Sequence, residues 1–590
     1  MPTIQTTQQR RRIGSIEGIC ARAEKASGPL ALLMAVTVAL ASHSALAQFM
    51  PGPVPLYPPN PTQPLYYKDG NGPAVSYFQR WLPSNYGCSN LNQGTDAISQ
   101  YTNSLKCIPF GTGNNSYITF NGTERFRNED YSHTFLHTTG STAADGAPLK
   151  NTTANESERW MTHSEVGTDL HITDFFRAYG QIDNGTQSGR QITAPGPSAA
   201  NRNDLSLMAL FGEGRININQ TPFSIPALND TMIGLRVGRE NTGLGSDAFW
   251  NSINGGTNLA GGSLDGIHAY ADQGRRRLDL FAYHFVNEVS FDPRGGSEPF
   301  LDRDNAKQLY WGGYFSNDLP KSSVLGLEAK TGVDVFYYGY SNSAAQYTNK
   351  ALLKNPASLA IAPGGVSFIT AHDYRNSLGL RFYGALGNAD YDYSGIVQRG
   401  SFGKYDVDAW AFHTSMGYNF PLPWKPWLGL WLDGASGGVS STSNTIQTFQ
   451  PMRQNAYAIS TESVSQALTN LINLSPRIAF APDFYIGSFH VEKVSASIWY
   501  SFYFRQNQND AVYNGNYFGN QTAPVANAYQ ITAVSRGQFI GQQPNLRVNW
   551  AFAPHFTYGI DAAYEIVGSA LKVAGAQNTL YVRNQLIFDF

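Results

Sequence analysis

The last twelve residues of the chain, Thr579 to Phe590, constrain its fold most strongly because their side chains alternate in character. Leu580, Val582 and Leu586 occupy one parity, whereas Arg583 and other polar or amphipathic residues occupy the other. A period of two indicates a β-strand with one face in apolar surroundings and one in polar surroundings. The segment ends on the aromatic Phe590, although chain termini usually fray. Two interpretations of this segment are open: a strand of a membrane-spanning β-barrel, and a strand of a soluble β-sandwich.

The pattern of the first 47 residues predicts a secretory signal peptide. An apolar run of 12 residues, 30–41, precedes the small-residue motif Ala45-Leu46-Ala47 and is too short to cross a bilayer. Removing residues 1–47 changes the formal net charge from −2 to −5 because five basic and two acidic residues leave. The remaining chain has no basic excess of the kind found in nucleic-acid-binding proteins. The basic residues before the apolar run are Arg10, Arg11, Arg12, Arg22 and Lys25.

Alternating segments recur from Tyr117 to the end of the chain. No stretch has 18 consecutive apolar residues, which excludes a membrane-spanning helix from the expected architecture. Together with an export signal, the alternation predicts that residues 116–590 form an all-β, transmembrane antiparallel β-barrel of about eighteen strands. Charged residues make up only 14% of the chain and aromatic residues 13%, as in a barrel or a sandwich. The strands are expected to start near 117, 160, 173, 204, 231, 264, 278, 308, 324, 373, 390, 407, 427, 471, 491, 545, 556 and 579.

The connections between these segments alternate in length. Short ones are expected at residues 171–174, 272–275 and 419–426, and these are predicted to be periplasmic turns. Long extracellular loops are predicted on the opposite side, and the Gly-, Asn- and Ser-rich part of one loop, residues 245–262, is expected to narrow the channel. The long connections are 184–203, 240–263, 287–306, 341–371, 437–470 and 506–540.

Residues 48–115 predict a periplasmic leader that precedes the barrel. Its first part, 48–64, carries seven prolines and is expected to be extended. Cys88 and Cys107 remain after signal removal, and in an oxidising compartment they are expected to form one disulfide. Closing that loop would stabilise the fold by about 3 kcal/mol. Whether residues 65–115 plug the barrel stays open.

Several short motifs, in a consistent order, resemble the alginate export family. They are Lys106-Cys107-Ile108-Pro109, Arg125-Phe126-Arg127-Asn128-Glu129, Arg177-Ala178-Tyr179-Gly180-Gln181, Val237-Gly238-Arg239-Glu240, Leu264-Asp265-Gly266, and Phe502 to Arg505 with Asp510-Ala511-Val512-Tyr513. The resemblance implies an eighteen-stranded barrel in the Gram-negative outer membrane, with an arginine-lined channel that exports an anionic polysaccharide. It implies outer-membrane lipid, the polysaccharide and periplasmic polysaccharide-secretion components as partners. Glu240 stands where the family has glutamine, and this departure bears on the substrate.

Strand parity predicts which polar side chains face the lumen. Guanidinium groups stay charged and bind carboxylates through two hydrogen bonds, so inward arginines could form a path for acidic sugars. Pairing with inward acids, simply to keep the wall polar and rigid, is the alternative role. The predicted substrate path is Arg125, Arg127, Arg177, Arg236, Arg381, Arg477, Arg505, Arg547, Arg583 and Trp499. The predicted acidic partners are Glu129, Glu165, Asp169, Asp561 and Glu565.

The aromatic clusters allow two interpretations. Tyr310-Trp311, Tyr337-Tyr338, Trp424, Trp427 and Trp499-Tyr500 could form interfacial girdles in the membrane or surfaces that stack against sugar rings.

The sequence suggests no enzyme, and no metal or other cofactor is expected. The alternating His163, Glu165, Asp169 and His171 are interpreted as polar wall residues rather than metal ligands. Besides polysaccharide export, two functional classes stay open. They are a general diffusion porin for small anions or oligosaccharides and, with less support, an outer-membrane enzyme.

Overall fold

The computed structural model of the protein describes its barrel and the segment just before it. The described residues are 101–102, 104–110, 116–132, 157–173, 175–188, 202–222, 228–240, 249, 263–273, 275–287, 303–348, 368–438, 444–452, 467–486, 489–491, 493–508, 510, 512–513, 528–529, 537–553, 555–572 and 578–590. The predicted export signal and most of the predicted leader lie outside them.

Eighteen long strands follow one another along the chain. They are β1 Tyr117–Tyr131, β2 Ser157–His171, β3 Phe176–Ser188, β4 Arg202–Asn217, β5 Met232–Glu240, β6 Leu264–Asp272, β7 Arg276–Asn287, β8 Arg303–Asp318, β9 Leu327–Thr348, β10 Phe368–Leu386, β11 Ala389–Phe402, β12 Tyr405–Asn419, β13 Trp427–Ala435, β14 Leu471–Phe480, β15 Val494–Arg505, β16 Phe539–Ala553, β17 Phe556–Val567 and β18 Thr579–Asp589.

These strands form one closed antiparallel barrel. Each strand pairs with the next, and β18 pairs back to β1 from Thr123 opposite Asp589 to Tyr131 opposite Tyr581. The predicted eighteen-stranded barrel is therefore confirmed. The predicted strand starts differ from the observed ones by six residues at most, at β16, because alternation locates the middle of a strand better than the ends of its hydrogen-bonded ladder.

Short and long connections lie at opposite ends of the barrel. The three predicted short turns join β2 to β3, β6 to β7 and β12 to β13, at the end where β1 starts and β18 finishes. All six predicted long connections lie at the other end, which is the extracellular end of an outer-membrane barrel. One connection at that end is short, because β11 and β12 are joined by a tight turn at Gly403 and Lys404, where Gly403 has a φ of +57°.

The two faces of the barrel differ in chemistry. On β5, Leu235 and Val237 are 50% and 52% exposed, whereas the intervening Arg236 is 3% exposed. The same alternation along the other strands leaves a large apolar outer surface, of a size that soluble monomers rarely expose. This surface matches the lipid-facing band of a membrane barrel. In the described part of the chain, no helix is both long and apolar enough to span a bilayer.

The end of the predicted leader docks against the closing seam of the barrel. Ile108–Pro109 pairs with the start of β1, and the Phe120 backbone N–H donates to the Leu105 carbonyl oxygen at 2.9 Å. Leu105 packs against Phe590, together with Phe120 and Phe588. Regular structure thus begins before the predicted boundary at residue 116. Residues 101–102 and 104–110 lie at the periplasmic rim, and we call them the rim segment.

The rim segment buries one lysine. Lys106 is 8% exposed, its Nζ donates to the Phe120 carbonyl oxygen at 2.7 Å, and its Nζ lies 5.6 Å from the centroid of the Phe590 ring. Burial lowers the pKa of Lys106 to about 7. A free lysine has a pKa of about 10.4, so the undocked segment binds more protons between these two values. Docking is therefore weakest below about pH 7 and strengthens as the pH rises towards 10.

We expect the docking equilibrium constant of the rim segment to increase about 30-fold between pH 6 and pH 8.5. Hydrogen-exchange protection factors of peptides that cover residues 104–120 report this equilibrium. The Lys106→Met variant should remove the pH dependence and raise protection most at pH 6. Equal protection in the wild type at both pH values would contradict this prediction.

Cys107 is fully buried and disulfide-bonded, and its backbone N–H donates to Thr119 Oγ1 at 3.1 Å. Its predicted partner, Cys88, lies outside the described residues, so the pairing stays a prediction.

Candidate functional site

The structure places the nine predicted path arginines on the inner face of the barrel. Their exposed fractions lie between 0% and 6%, and residues of opposite parity, such as Phe126 beside Arg125 and Arg127, are far more exposed. Trp499 is also inward and buried. The five predicted acidic partners Glu129, Glu165, Asp169, Asp561 and Glu565 are buried on the same faces. What these side chains contact decides what each can do.

Glu213 is the centre of one charge cluster. It lies opposite Arg177 on β3 and opposite Arg236 on β5 in the ladder register. Arg177 Nη2 donates to both Glu213 carboxylate oxygens at 3.1 Å, and Arg236 Nε donates to Glu213 Oε2. The Tyr270 hydroxyl also donates to Glu213, at 3.0 Å. One carboxylate therefore compensates two of the predicted path arginines.

The cluster continues along β5, β6 and β7. Arg236 Nη1 lies 3.2 Å from Glu240 Oε2, and the Tyr283 hydroxyl donates to Glu240 Oε1 at 2.6 Å. Asp279 accepts from Arg277 at 2.8 Å and lies 3.0 Å from His268 Nε2. Sequence reasoning missed Glu213, Arg277 and Asp279. Their parity matches that of the predicted arginines on neighbouring strands, and this signal could have identified them.

A second cluster lies beside the closing seam. Asp561 accepts hydrogen bonds from both Arg547 and Arg583, which flank it in register on β16 and β18. Across the seam, Arg127 Nη1 lies 3.3 Å from Glu129 Oε1. Ion pairs thus lie on both sides of the seam, and Arg127 Nη2 donates across it to Gln585 Oε1 at 3.1 Å.

Three other path arginines also have partners. Arg381 donates to Asp392 through Nε at 2.9 Å and Nη2 at 2.7 Å, a two-bond pair. Arg505 donates to the Gly537 and Asp510 carbonyl oxygens, which ties the wall to the loop between β15 and β16. Arg125 Nη2 lies 3.1 Å from His163 Nδ1.

Arg477 on β14 differs from the other eight. Among the described residues, it has no ion pair and no hydrogen bond, and its Nε is buried without a partner. Instead, its guanidinium carbon lies 3.3 Å from the ring centroid of Trp431 and 5.1 Å from that of Trp499. Arg477 is therefore held by aromatic rings rather than by a carboxylate.

The buried wall is close to charge balance. In the described part of the chain, twelve arginines are buried, and fourteen carboxylates are buried on inward faces. Glu124 is not among these fourteen, because it has the outward parity of Phe126 and accepts from Ser164 at 2.6 Å. Most inward arginines of the described wall are therefore paired with acids. This is the alternative role that strand parity alone could not separate from a substrate path.

The aromatic clusters divide between the two faces. In each predicted dipeptide one ring faces inward and is buried, and the other faces outward. Membrane anchoring and sugar stacking therefore stay predictions, the first for the outward rings and the second for the inward ones. Trp424 is 52% exposed in a periplasmic turn. The buried members are Tyr310, Tyr338, Trp427 and Trp499, and the outward members are Trp311, Tyr337 and Tyr500.

Loop residues enter the extracellular part of the lumen and pack on an aromatic wall. The inward rings of β7, β8 and β9 contact one another, with Phe336 at 5.6 Å from Tyr314 and 5.0 Å from Tyr338 between ring centroids. Phe249, from the loop predicted to narrow the channel, lies 6.3 Å from Phe336 and 6.2 Å from Phe449 of the β13–β14 loop. The rest of residues 245–262 lies outside the described residues.

Hydrogen bonds fix the β13–β14 loop in this position. Asp510 Oδ2 accepts from the Gly438 backbone N–H and from Thr448 Oγ1, both at 2.6 Å. Gln398 Nε2 on β11 donates to the Gln450 carbonyl oxygen at 2.9 Å. The loop between β13 and β14 is thus held to the β15–β16 loop and to β11. Sequence reasoning did not identify these contacts.

No group of three or more His, Cys, Asp or Glu side chains among the described residues is arranged to hold a metal ion. The alternating histidines and acids of β2 instead contact wall residues, as His163 Nε2 lies 3.2 Å from Asp183 Oδ2.

Comparison with solved structures found several that are similar to the chain. The chain is similar to the solved structures of OccK5 (OpdH) and OpdQ from Pseudomonas aeruginosa, with 8% and 12% identity and TM-scores of 0.42 and 0.43. Each match covers 80% of this chain and 98% of the other. Acinetobacter baumannii OccAB1 matches with 11% identity and a TM-score of 0.45, covering 80% of this chain and 96% of the other. No curated protein matches the chain.

The family comparison covers most of the barrel. The family model described as alginate export matches residues 143–583. This confirms the family that the short motifs predicted, and it places the barrel, with its apolar outer face, in the Gram-negative outer membrane, where it forms a channel in contact with lipid. The chain belongs to the alginate export family.

Proposed function

We propose that this outer-membrane channel exports an anionic polysaccharide of the alginate type, and that inward arginines provide the contacts for its carboxylates. The observation that carries the proposal is the arginine content of the inner face, with all nine predicted arginines buried in the wall of a barrel of this family. A chain of moderate sites lets a charged solute enter and leave, whereas one deep site would trap it. The proposal includes no catalytic activity and includes periplasmic polysaccharide-secretion components as partners.

Pairing limits how the arginines can act. A guanidinium that is already bound to a carboxylate offers little net charge to a passing anion, because its own partner must be displaced first. Most path arginines are of this kind, so we expect the wall to be polar along its length and attractive to acidic sugars at few points.

The charge balance of the wall also supports a second candidate, a general diffusion porin for small anions or oligosaccharides. Such a porin would pass acidic and neutral oligosaccharides of the same length alike, since neither would meet an uncompensated charge.

Planar-bilayer recordings separate the two candidates. We expect the export channel to prefer anions in a salt gradient, and we expect a hexauronate fragment of alginate to block its current while a neutral hexasaccharide of the same length does not. Equal block by both oligosaccharides would favour the diffusion porin, and cation selectivity would contradict the arginine path. Hydrolysis of lipid or glycan by the pure protein would contradict the absence of catalysis.

A further inference from the structure

The inner wall from β13 to β16 contains a row of side chains with unused hydrogen-bonding capacity. Arg477 lies opposite Trp499 in the ladder register, and Trp499 lies opposite Asn545. Trp431, on the other side of Arg477, lies opposite Ser475. The row therefore crosses four consecutive strands, with Trp431 two residues out of register with Arg477. We call Trp431, Arg477, Trp499 and Asn545 the arginine–tryptophan row.

Arg477 is the member that sets the charge of this row. Eleven of the twelve buried arginines of the described wall contact a carboxylate, a carbonyl oxygen or, at Arg125, a histidine, whereas Arg477 contacts only rings. The nearest inward acid on β13, Asp433, accepts from Asn473 at 2.7 Å and pairs with His413. Asp433 attracts Arg477 through space but makes no ion pair or hydrogen bond with it. A buried charge that no carboxylate contacts is unfavourable, so a bound anion would stabilise this site more than the paired ones.

The two tryptophans hold the guanidinium without neutralising it. A guanidinium is weakly hydrated and stacks on indole faces, an interaction that leaves its N–H donors in the plane of the group. At 3.3 Å, Trp431 is in stacking contact with Arg477. Trp499 lies between two cations, since the guanidinium carbon of Arg547 is 6.0 Å from its ring centroid. The geometry therefore fixes the position of a charge that remains available.

Other polar atoms of the row are also unsatisfied. Trp431 is fully buried and its Nε1 has no partner in the described structure. Asn545 is 3% exposed, its Nδ2 donates to the Gln543 carbonyl oxygen at 2.7 Å, and its Oδ1 has no partner there. The row thus offers a cation and an N–H donor, which suit a carboxylate, and an amide acceptor, which suits a hydroxyl group.

We propose that the arginine–tryptophan row binds one acidic sugar unit, with the carboxylate on Arg477 and a ring hydroxyl on Asn545. This inference rests on the proposed function and narrows it, because it makes Arg477 the main point of attraction in a wall that is otherwise paired. The ligand class is a hexuronate, which carries a carboxylate and several hydroxyl groups on one ring.

Hexauronate block in planar bilayers tests the row. We expect Arg477→Gln to weaken block roughly tenfold, the loss typical of one charged bidentate contact. Arg477→Lys keeps the charge but not the planar donors, so block should be partly retained. Folding of each variant is checked by its heat-modifiable mobility on a gel. If Arg477→Gln does not fold, hexauronate block is compared instead in Arg477→Lys and in Asn545→Ala.

The matched control removes a paired arginine without changing net charge. In Arg375→Gln/Asp373→Asn both members of a buried pair outside the predicted path become neutral, and block should match the wild type. Equal block of the wild type and Arg477→Gln would overturn the row as the binding site. A wild-type channel that hexauronate does not block at all would instead contradict the proposed function, before any variant is compared.

Discussion

Replacing Glu213 by alanine is expected to lower the free energy of unfolding of the barrel by about 3 to 5 kcal/mol, as when one partner of a buried ion pair is removed. Glu213 is fully buried, forms ion pairs with Arg177 and Arg236, and accepts a hydrogen bond from the Tyr270 hydroxyl. Its loss leaves two guanidinium groups buried in the wall without the carboxylate between them. The midpoint of unfolding in urea, followed by the shift between folded and unfolded bands on a gel, measures the effect.

Glu328→Ala provides the matched control, since it also removes one glutamate that contacts two cations. Its side chain is 55% exposed and lies 3.5 Å from Lys321 and 3.6 Å from Lys330. Solvent screens such pairs, so we expect a change below about 1 kcal/mol. If Glu213→Ala unfolds at the same urea concentration as Glu328→Ala, the Glu213 cluster does not stabilise the barrel. Glu213→Gln should fall between the two, because the amide can still accept from Tyr270.

Strand parity was sufficient to predict the wall of the barrel. Because side chains alternate with a strict period of two, a run such as Val494 to Arg505 assigns each residue to one face once its apolar members are known. Register shifts interrupt five of the strand pairings, for example at Asn342 and Ala345 on β9, yet the nine arginines are all inward. The same alternation marks the first and the last strand of the barrel, β1 and β18, which pair with each other.

Partners across strands were harder to predict than faces. Whether Arg177 meets Glu213 depends on the register between β3 and β4, and the long loop between them does not fix that register. Arg477 illustrates the same limit. Parity placed it inward with eight other arginines, but only the relative positions of Trp431, Trp499 and Asp433 show that rings rather than an acid surround it.

The contacts inside the lumen could not be predicted from periodicity at all. Phe249 and Phe449 belong to irregular loops, where no repeating pattern relates sequence to direction. The glycine-rich composition of residues 245–262 suggested a constriction, but the aromatic wall that receives Phe249 comes from three distant strands. Docking of a loop on a wall depends on tertiary shape, which composition does not record.

Replacing Phe449 by alanine is expected to release the β13–β14 loop from the lumen. Phe449 is 1% exposed and packs with Phe249 against the inner aromatic wall at Phe336. Truncating a buried phenylalanine costs about 3 to 5 kcal/mol, so the equilibrium between the loop-in and loop-out states should shift outward by at least about two orders of magnitude. Single-channel recordings should then show a larger conductance or a longer open time.

In the proposed export function this loop would obstruct a polymer, because Thr448, Phe449 and Gln450 are packed at the inner wall. Phe449 itself lies outside the strands that pair in the barrel, so we expect Phe449→Ala to change the conductance more than the unfolding of the barrel. Leu422→Ala, which truncates a 56% exposed residue in a periplasmic turn, should leave the current unchanged. A Phe449→Ala channel with wild-type current would show that these loop contacts do not limit passage, and Asp510→Ala would then be expected to have no effect either.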